Sequence, residues 1–392
     1  MWVYFRHAFY KNKSWAFSER RDSFAHGHRR KQIVNEPACG EGGRVHGARP
    51  PIRLGAGTLG KTIAHTHMEA MAAGAILSEH KGRVMSLDFN GSGELMLSTG
   101  EDDRLCVYSC QSGQLQRAVQ SPRYGVGIAR FTHDPLSVIC ASRAGEAGAA
   151  GGAAGAAGGA TGGGEGAHAI RYHSLHDNTY LRFFTGHTAP VLSLSVSPKD
   201  DVFASAAADE TMRTWDLRVP GCLGVLRFPG SGRRPAVSFD PEGLVLAAGV
   251  GGNQVKLFDL RFASKGPFAT FSVPGEPRDF ASICFNFDGK LMLVGTAQGA
   301  AVSIDAFKGT ELQTFRGHAN KMGLPLEACF SADGAQVMSG SEDGKIWRWR
   351  THDASLVAAQ AGHRGPVTSV KCNPTRQLVA SAGEEVCLWL PA

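Results

Sequence analysis

The chain has 392 residues, 43% hydrophobic and 19% charged, with 50 glycines and a formal net charge of +6. It carries no apolar run long enough for a membrane span and no signal-peptide core, and its nine cysteines, odd in number and without a Cys-x-x-Cys pair, fit a reducing compartment rather than a disulfide framework. The basic charge is local: residues 1–67 hold 12 Lys/Arg against 4 Asp/Glu and the rest of the chain stands at −2, so the overall balance does not argue for nucleic acid binding.

Residues 1–67 show no strand pattern and are expected to be a disordered extension, or translated sequence upstream of a start at Met68 or Met71. Arg29-Arg30-Lys31 within them has the composition of a nuclear address, and the Arg-rich, acid-poor balance also resembles a transit peptide. From residue 79 onward the chain is a repeat. Glu79-His80, Gly186-His187, Gly317-His318 and Gly362-His363 each precede a β-patterned run. The clearest run ends at Trp215-Asp216-Leu217-Arg218, echoed by Phe258-Asp259-Leu260-Arg261. Aligned on that Asp slot, successive units lie 40 to 46 residues apart, the period of a four-stranded WD blade. Val107-Tyr108-Ser109 and Tyr172-His173-Ser174 fill the slot upstream, giving seven units that start near His80, Tyr124, His187, Arg234, Asp279, His318 and His363. The expected fold is therefore an all-β, seven-bladed WD40 propeller over residues 68–392.

Within a unit, alternating apolar and small residues such as Val191 to Val196 read as a strand, and Asp240-Pro241-Glu242-Gly243 or Ala332-Asp333-Gly334 as the turn that follows. A Gly/Ala tract at about 144–167 interrupts the second unit and is expected to be a flexible loop on the upper face of the ring. The last unit ends at Leu388-Trp389-Leu390-Pro391-Ala392 and supplies no outer strand. That strand must come from Met71 to Leu77, a poor β-former, so closure by a weak strand or a frayed edge is expected.

A buried hydrogen-bond set of His, Ser, Asp and Trp explains why the landmarks recur, because buried polar groups must be paired. The third unit offers His187, Ser205, Asp209 and Trp215; the sixth offers His318, Ser339, Asp343 and Trp349. The seventh has His363, Ser381 and Trp389, with Gly383 in place of the Asp and Glu384 one step late. A Ser/His/Asp catalytic triad is the sharper reading of these types, but their recurrence at structural spacing argues against an enzyme. Cys106 and Cys110 lack a nearby second pair of ligands, so no metal or cofactor is expected.

Loops leading into the units carry Lys81, Arg83, Arg123, Arg233, Arg234, Arg278, Lys321 and Arg364. Ring closure makes the seventh, first and second units neighbours, so Lys81, Arg83, Arg123 and Arg364 form a candidate phosphopeptide patch, Arg being suited to bidentate phosphate contacts. Acidic turns at Asp102, Asp103, Asp209, Asp343 and Glu384 support the competing reading, a solvated mixed-charge rim. Trp215, Asp216 and Arg218 also fit the Trp-Asp-x-Arg pattern of substrate receptors for cullin-type ubiquitin ligases.

Segments between the landmarks are more specific. Ile170-Arg171-Tyr172-His173-Ser174-Leu175-His176-Asp177-Asn178-Thr179-Tyr180-Leu181-Arg182-Phe183-Phe184, Phe239-Asp240-Pro241-Glu242-Gly243-Leu244, Lys265-Gly266-Pro267-Phe268, Asp305-Ala306-Phe307-Lys308-Gly309, Gly340 to Ile346 and Trp389-Leu390-Pro391 resemble the WD repeat-containing protein 82 family, which includes the Swd-two subunit of COMPASS. The resemblance covers roughly residues 79–391. It implies a non-catalytic nuclear adaptor in a Set-one type complex that methylates histone H3 lysine 4, linked to the phosphorylated C-terminal domain of RNA polymerase II. It also implies a second role in phosphatase-containing complexes of termination and 3′-end processing. No direct nucleic acid or membrane partner is expected.

Overall fold

The computed structural model describes residues 71–143, 168–229, 234–251, 253–273 and 279–391, with the side chains of residues 262–264 excepted. The extension at 1–67 and the Gly/Ala tract at 144–167 lie outside the described residues, as do Arg233 and Arg278. Among the described residues, twenty-eight strands form seven antiparallel four-stranded sheets. After β1 (Met71–Leu77), blade one comprises β2 (Val84–Phe89), β3 (Leu95–Gly100), β4 (Arg104–Ser109) and β5 (Leu115–Gln120). Blade two holds β6 (Ala129–Phe131), β7 (Ser137–Ala141), β8 (Ile170–Ser174) and β9 (Thr179–Phe184), and blade three β10 (Val191–Val196), β11 (Val202–Ala207), β12 (Thr211–Asp216) and β13 (Cys222–Arg227). Blade four is β14 (Ala236–Phe239), β15 (Val245–Val250), β16 (Gln254–Asp259) and β17 (Ala269–Ser272); blade five is β18 (Phe280–Phe285), β19 (Leu291–Thr296), β20 (Ala300–Asp305) and β21 (Glu311–Phe315). Blade six is β22 (Ala328–Phe330), β23 (Gln336–Gly340), β24 (Lys345–Arg350) and β25 (Leu356–Ala361), and blade seven β26 (Ser369–Cys372), β27 (Val379–Ala382) and β28 (Val386–Pro391), with β1 as its outer strand.

The turn between the first two strands of a blade is chemically prescribed. In blade four the Asp240 carboxylate accepts the N–H groups of Leu244 and Val245 at 2.7 Å, and Gly243 donates its own N–H to the Asp240 carbonyl at 3.0 Å. Gly243 sits at φ 67°, and a Cβ there would lie 2.7 Å from the Ser197 hydroxyl of blade three, so both backbone and neighbour demand glycine. Asn90, Asn286 and Ser331 organise the same turn in blades one, five and six.

A single sheet has two faces to cover, and each blade covers them with its neighbours. Seven apolar clusters line the seven blade-to-blade seams; one, for example, joins Val255 and Leu257 of blade four to Phe280 and Met292 of blade five. Small polar side chains of the inner strands lace the same seams near the axis. Ser193 and Ser195 of β10 accept the N–H groups of Val237 and Phe239 on β14 at 3.1 Å, and Asp88 of β2 accepts that of Phe131 on β6 at 2.8 Å.

The seam of the ring is complete rather than frayed. Met71 pairs with Pro391 and Leu77 with Val386, with one bulge between Ala73 and Ala75. Gly74 sits at that bulge, where a Cβ would lie 2.7 Å from Leu390, so the segment's weakness as a strand former is what admits the close approach. Met71 is buried in the seam between blades six and seven, and β28 offers a ready ladder that outweighs low intrinsic propensity.

Candidate functional site

Blade three closes the polar set. The His187 Nδ1 lies 2.9 Å from Asp209, its Nε2 lies 2.7 Å from the Ser205 hydroxyl, and the Trp215 indole N–H donates to that hydroxyl at 2.8 Å. This assigns the imidazole proton to Nδ1, facing the carboxylate, and the Ser205 proton to Nε2. Burial pushes the His187 pKa down against the pull of Asp209. Burial also opposes ionisation of Asp209, but the Thr211 hydroxyl, the Thr188 N–H and His187 hold it below the usual carboxylate range. The Ser205 side chain is fully buried, so the set presents no nucleophile to solvent.

Blade one repeats the arrangement with residues the sequence did not single out as a set. His80 Nδ1 is 2.9 Å from Asp102 and Nε2 is 2.7 Å from Ser98. The separations of 18 and 22 residues are those of blade three, and Tyr108 occupies the Trp position. In blade seven the Ser381 hydroxyl joins His363 Nε2 at 2.6 Å to the Trp389 indole at 2.8 Å. The acidic slot, four residues after the Ser, is taken by Glu385 rather than Glu384, and its carboxylate accepts a bond from Ser78 on the closing segment.

Blade six departs from the expected set. No hydrogen bond joins His318 to Ser339, Asp343 or Trp349 among the described residues, and His318 Nδ1 is buried without a partner. The Ser339 hydroxyl donates instead to the Gly340 carbonyl at 3.0 Å, and Asp343 pairs with Lys345 at 3.3 Å. The reason is length. His318 stands 21 residues before Ser339, three more than in the other blades, and the longer loop moves the ring off its partners. Ser341 then takes the cap that Asp209 provides in blade three, accepting the Ala319 N–H at 3.0 Å.

The candidate patch residues all sit on loops that precede inner strands of blades seven, one and two, hence on one face. Lys81, Arg123 and Arg364 are exposed. Arg83 is half-buried and shares its charge with Glu101 at 3.4 Å. Arg123 lies over the Tyr124 ring at 5.1 Å, and Tyr124 packs edge-on against Tyr180 and Phe183. That aromatic group beside the cations escaped the sequence reading because its members come from a loop and from an outer strand 56 to 59 residues later. Arg218 makes a bidentate pair with Asp216 at 2.9 and 2.7 Å, and Arg261 does the same with Asp259, so both motif arginines are engaged within their own blades.

An axial channel of about 540 Å³ runs between the inner strands. At its heart Glu327 lies 3.5 Å from both Arg130 and Lys371 and accepts a bond from Ser369. Burial opposes its charge, but Lys371, Arg130 and Ser369 hold Glu327 below the usual range.

Comparison with known proteins agrees with this architecture. The family model "WD domain, G-beta repeat" matches residues 73–109, 178–216, 309–350 and 354–389. Drosophila melanogaster WD repeat-containing protein 82 is 40% identical over 318 residues, 81% of this chain and 93% of the relative. The COMPASS component SWD2 of Saccharomyces cerevisiae is 30% identical over 79% of this chain and 91% of its own length. The Set1 complex component swd2 of Schizosaccharomyces pombe is 34% identical over 59% of each. With seven blades, a closed seam and this degree of identity across most of both chains, the protein belongs to the WD repeat-containing protein 82 family.

Proposed function

We propose that this chain is a non-catalytic WD-repeat subunit of a COMPASS-type complex that methylates histone H3 lysine 4, acting in the nucleus. The observation that carries the reading is the similarity to the yeast COMPASS component SWD2 over most of both chains. The buried state of the His/Ser/Asp sets supports a scaffold rather than a hydrolase. Affinity purification of the full chain from its own cells with mass spectrometry tests it: methyltransferase subunits are expected among the stoichiometric partners. Their absence, with cullin adaptor subunits in their place, would favour the ligase-receptor reading, which has less support because Arg218 is already bonded to Asp216.

The finer part of the proposal is that the face bearing Lys81, Arg83, Arg123 and Arg364 docks the serine-phosphorylated C-terminal repeats of RNA polymerase II. The same platform would serve phosphatase-containing complexes of termination and 3′-end processing. What supports it is the exposed Arg123 guanidinium over the Tyr124 ring, which packs on Tyr180 and Phe183, a pairing suited to phosphate next to apolar or aromatic side chains. Arg83→Ala/Arg123→Ala is expected to weaken binding of a phosphoserine repeat peptide by about ten-fold or more, in line with the loss of charge-assisted bonds. Unchanged affinity would remove the patch and leave the scaffold reading standing.

A further inference from the structure

Charge in the axial channel is not balanced. Asp88 on β2, Arg130 on β6 and Lys371 on β26 occupy the same place in three blades, each two residues before the residue that opens the first turn. Glu327 comes from blade six and Arg234 from the loop ahead of β14, and all five line one cavity. Arg83 lines the same cavity but shares its charge with Glu101, so with that pair set aside three cations face two carboxylates. Of the two, Glu327 already serves Arg130 and Lys371. Burial pushes the Asp88 carboxyl up, against the pull of Arg130 and the Phe131 N–H.

Arg234 is the group left over. Among the described residues its Nη2 reaches only the Leu192 carbonyl, at 3.4 Å, and its Nε–H is buried with no hydrogen-bond partner. No ion pair joins it to a carboxylate among the described residues; Asp279 accepts its backbone N–H, not its side chain. A guanidinium Nε–H shut off from water and left unfilled is costly, and the cost falls when an anion completes it. The planar N–H fork receives a carboxylate or phosphate oxygen pair, and the low-dielectric walls strengthen that contact relative to a surface arginine.

We propose that the axial channel is a binding site for a small phosphate-class anion, held on the open edge of Arg234 in the positive field of Arg130 and Lys371. The site lies inside the ring, and the proposal does not depend on the partner assignment or on the rim patch. A free phosphate and a phosphorylated metabolite share the recognised group, so inorganic phosphate and pyrophosphate are both used as probes.

The test is titration of the full chain with each probe by calorimetry and phosphorus NMR, at constant ionic strength set with sodium chloride. Saturable binding at one site is expected, weakened about ten-fold or more in Arg234→Gln, the scale of losing a charge-assisted fork. It is expected to be unchanged in Arg123→Ala/Arg364→Ala, a rim variant whose residues do not line the cavity. Arg234→Lys keeps the buried charge and loses the fork; it is the variant to use if Arg234→Gln does not fold, and weaker binding than wild type is again expected. A wild-type structure determined from phosphate-grown crystals is expected to place the anion on Arg234. No saturable binding by the wild type, equal binding by a folded Arg234 variant, loss of binding in the rim variant, or an anion found only elsewhere would each overturn the proposal.

Discussion

Replacing Ser205 with alanine separates the blade with a closed polar set from the blade without one. In blade three the Ser205 hydroxyl is shared by two buried partners, the Trp215 indole N–H at 2.8 Å and His187 Nε2 at 2.7 Å. Ser205→Ala leaves both unsatisfied where water cannot reach, at roughly 1–3 kcal/mol for each orphaned group, so a loss of about 3 kcal/mol is expected. Ser339 is equally buried but donates only to the carbonyl of the next residue, so Ser339→Ala is expected to cost about 1 kcal/mol. Equilibrium urea unfolding of the two variants, followed by fluorescence, reads the difference. Adding Trp215→Phe removes the indole donor, and the cost of Ser205→Ala in that background is expected to shrink by about 1 kcal/mol, the value of one orphaned bond. Equal destabilisation by Ser205→Ala and Ser339→Ala would refute the reasoning, because it would mean that blade six carries the same closed set.

Burial pushes His318 and His363 down to about 4, so each stays neutral in the ring while the unfolded chain takes up a proton below its ordinary value of 6.5. The stability they contribute is therefore whole above pH 6.5 and is lost as pH falls toward 4; His318→Gln/His363→Gln should flatten the urea midpoint between pH 7 and pH 5, and an unchanged slope would rule this out. A chain begun at Met68 retains β1 and one begun at Glu79 lacks it; the shorter is expected to melt clearly lower, and equal melting temperatures would contradict closure through Met71–Leu77. Arg218→Ala is expected to leave the melting temperature nearly unchanged, since the Arg218 end of its pair with Asp216 is exposed, and a large drop would show the pair to be structural.

What the sequence discloses follows from locality. Blade count, turn residues and the set at His187, Ser205, Asp209 and Trp215 depend on spacing within one unit, and spacing survives in one dimension. The blade-one set is equally regular, but Tyr108 stands in the Trp slot, so the intervals from His80 to Ser98 and Asp102 carry no aromatic landmark to mark them. Blade six misled because residue types alone matched; three additional loop residues undo the geometry while leaving the composition intact. The channel was not legible at all. Arg130 and Glu327 stand 197 residues apart, and nothing in either blade marks the other until the ring brings them face to face. The rings around Arg123 were hidden for the same reason, being split between a loop and an outer strand.

The pairing of β1 with β28 joins the first described strand to the last. A ribosome makes Met71–Leu77 long before its partner, so β1 leaves the exit tunnel as an unpaired edge and stays one until Val386–Pro391 has been made. Six blades can assemble in order as they emerge, whereas the seventh must wait for β28, and its closure spans the ring. Premature termination anywhere before β28 would then yield an open crescent with two bare edges rather than a smaller propeller. A quality-control factor that recognises exposed strand edges would have a signal that vanishes once β28 has paired with β1.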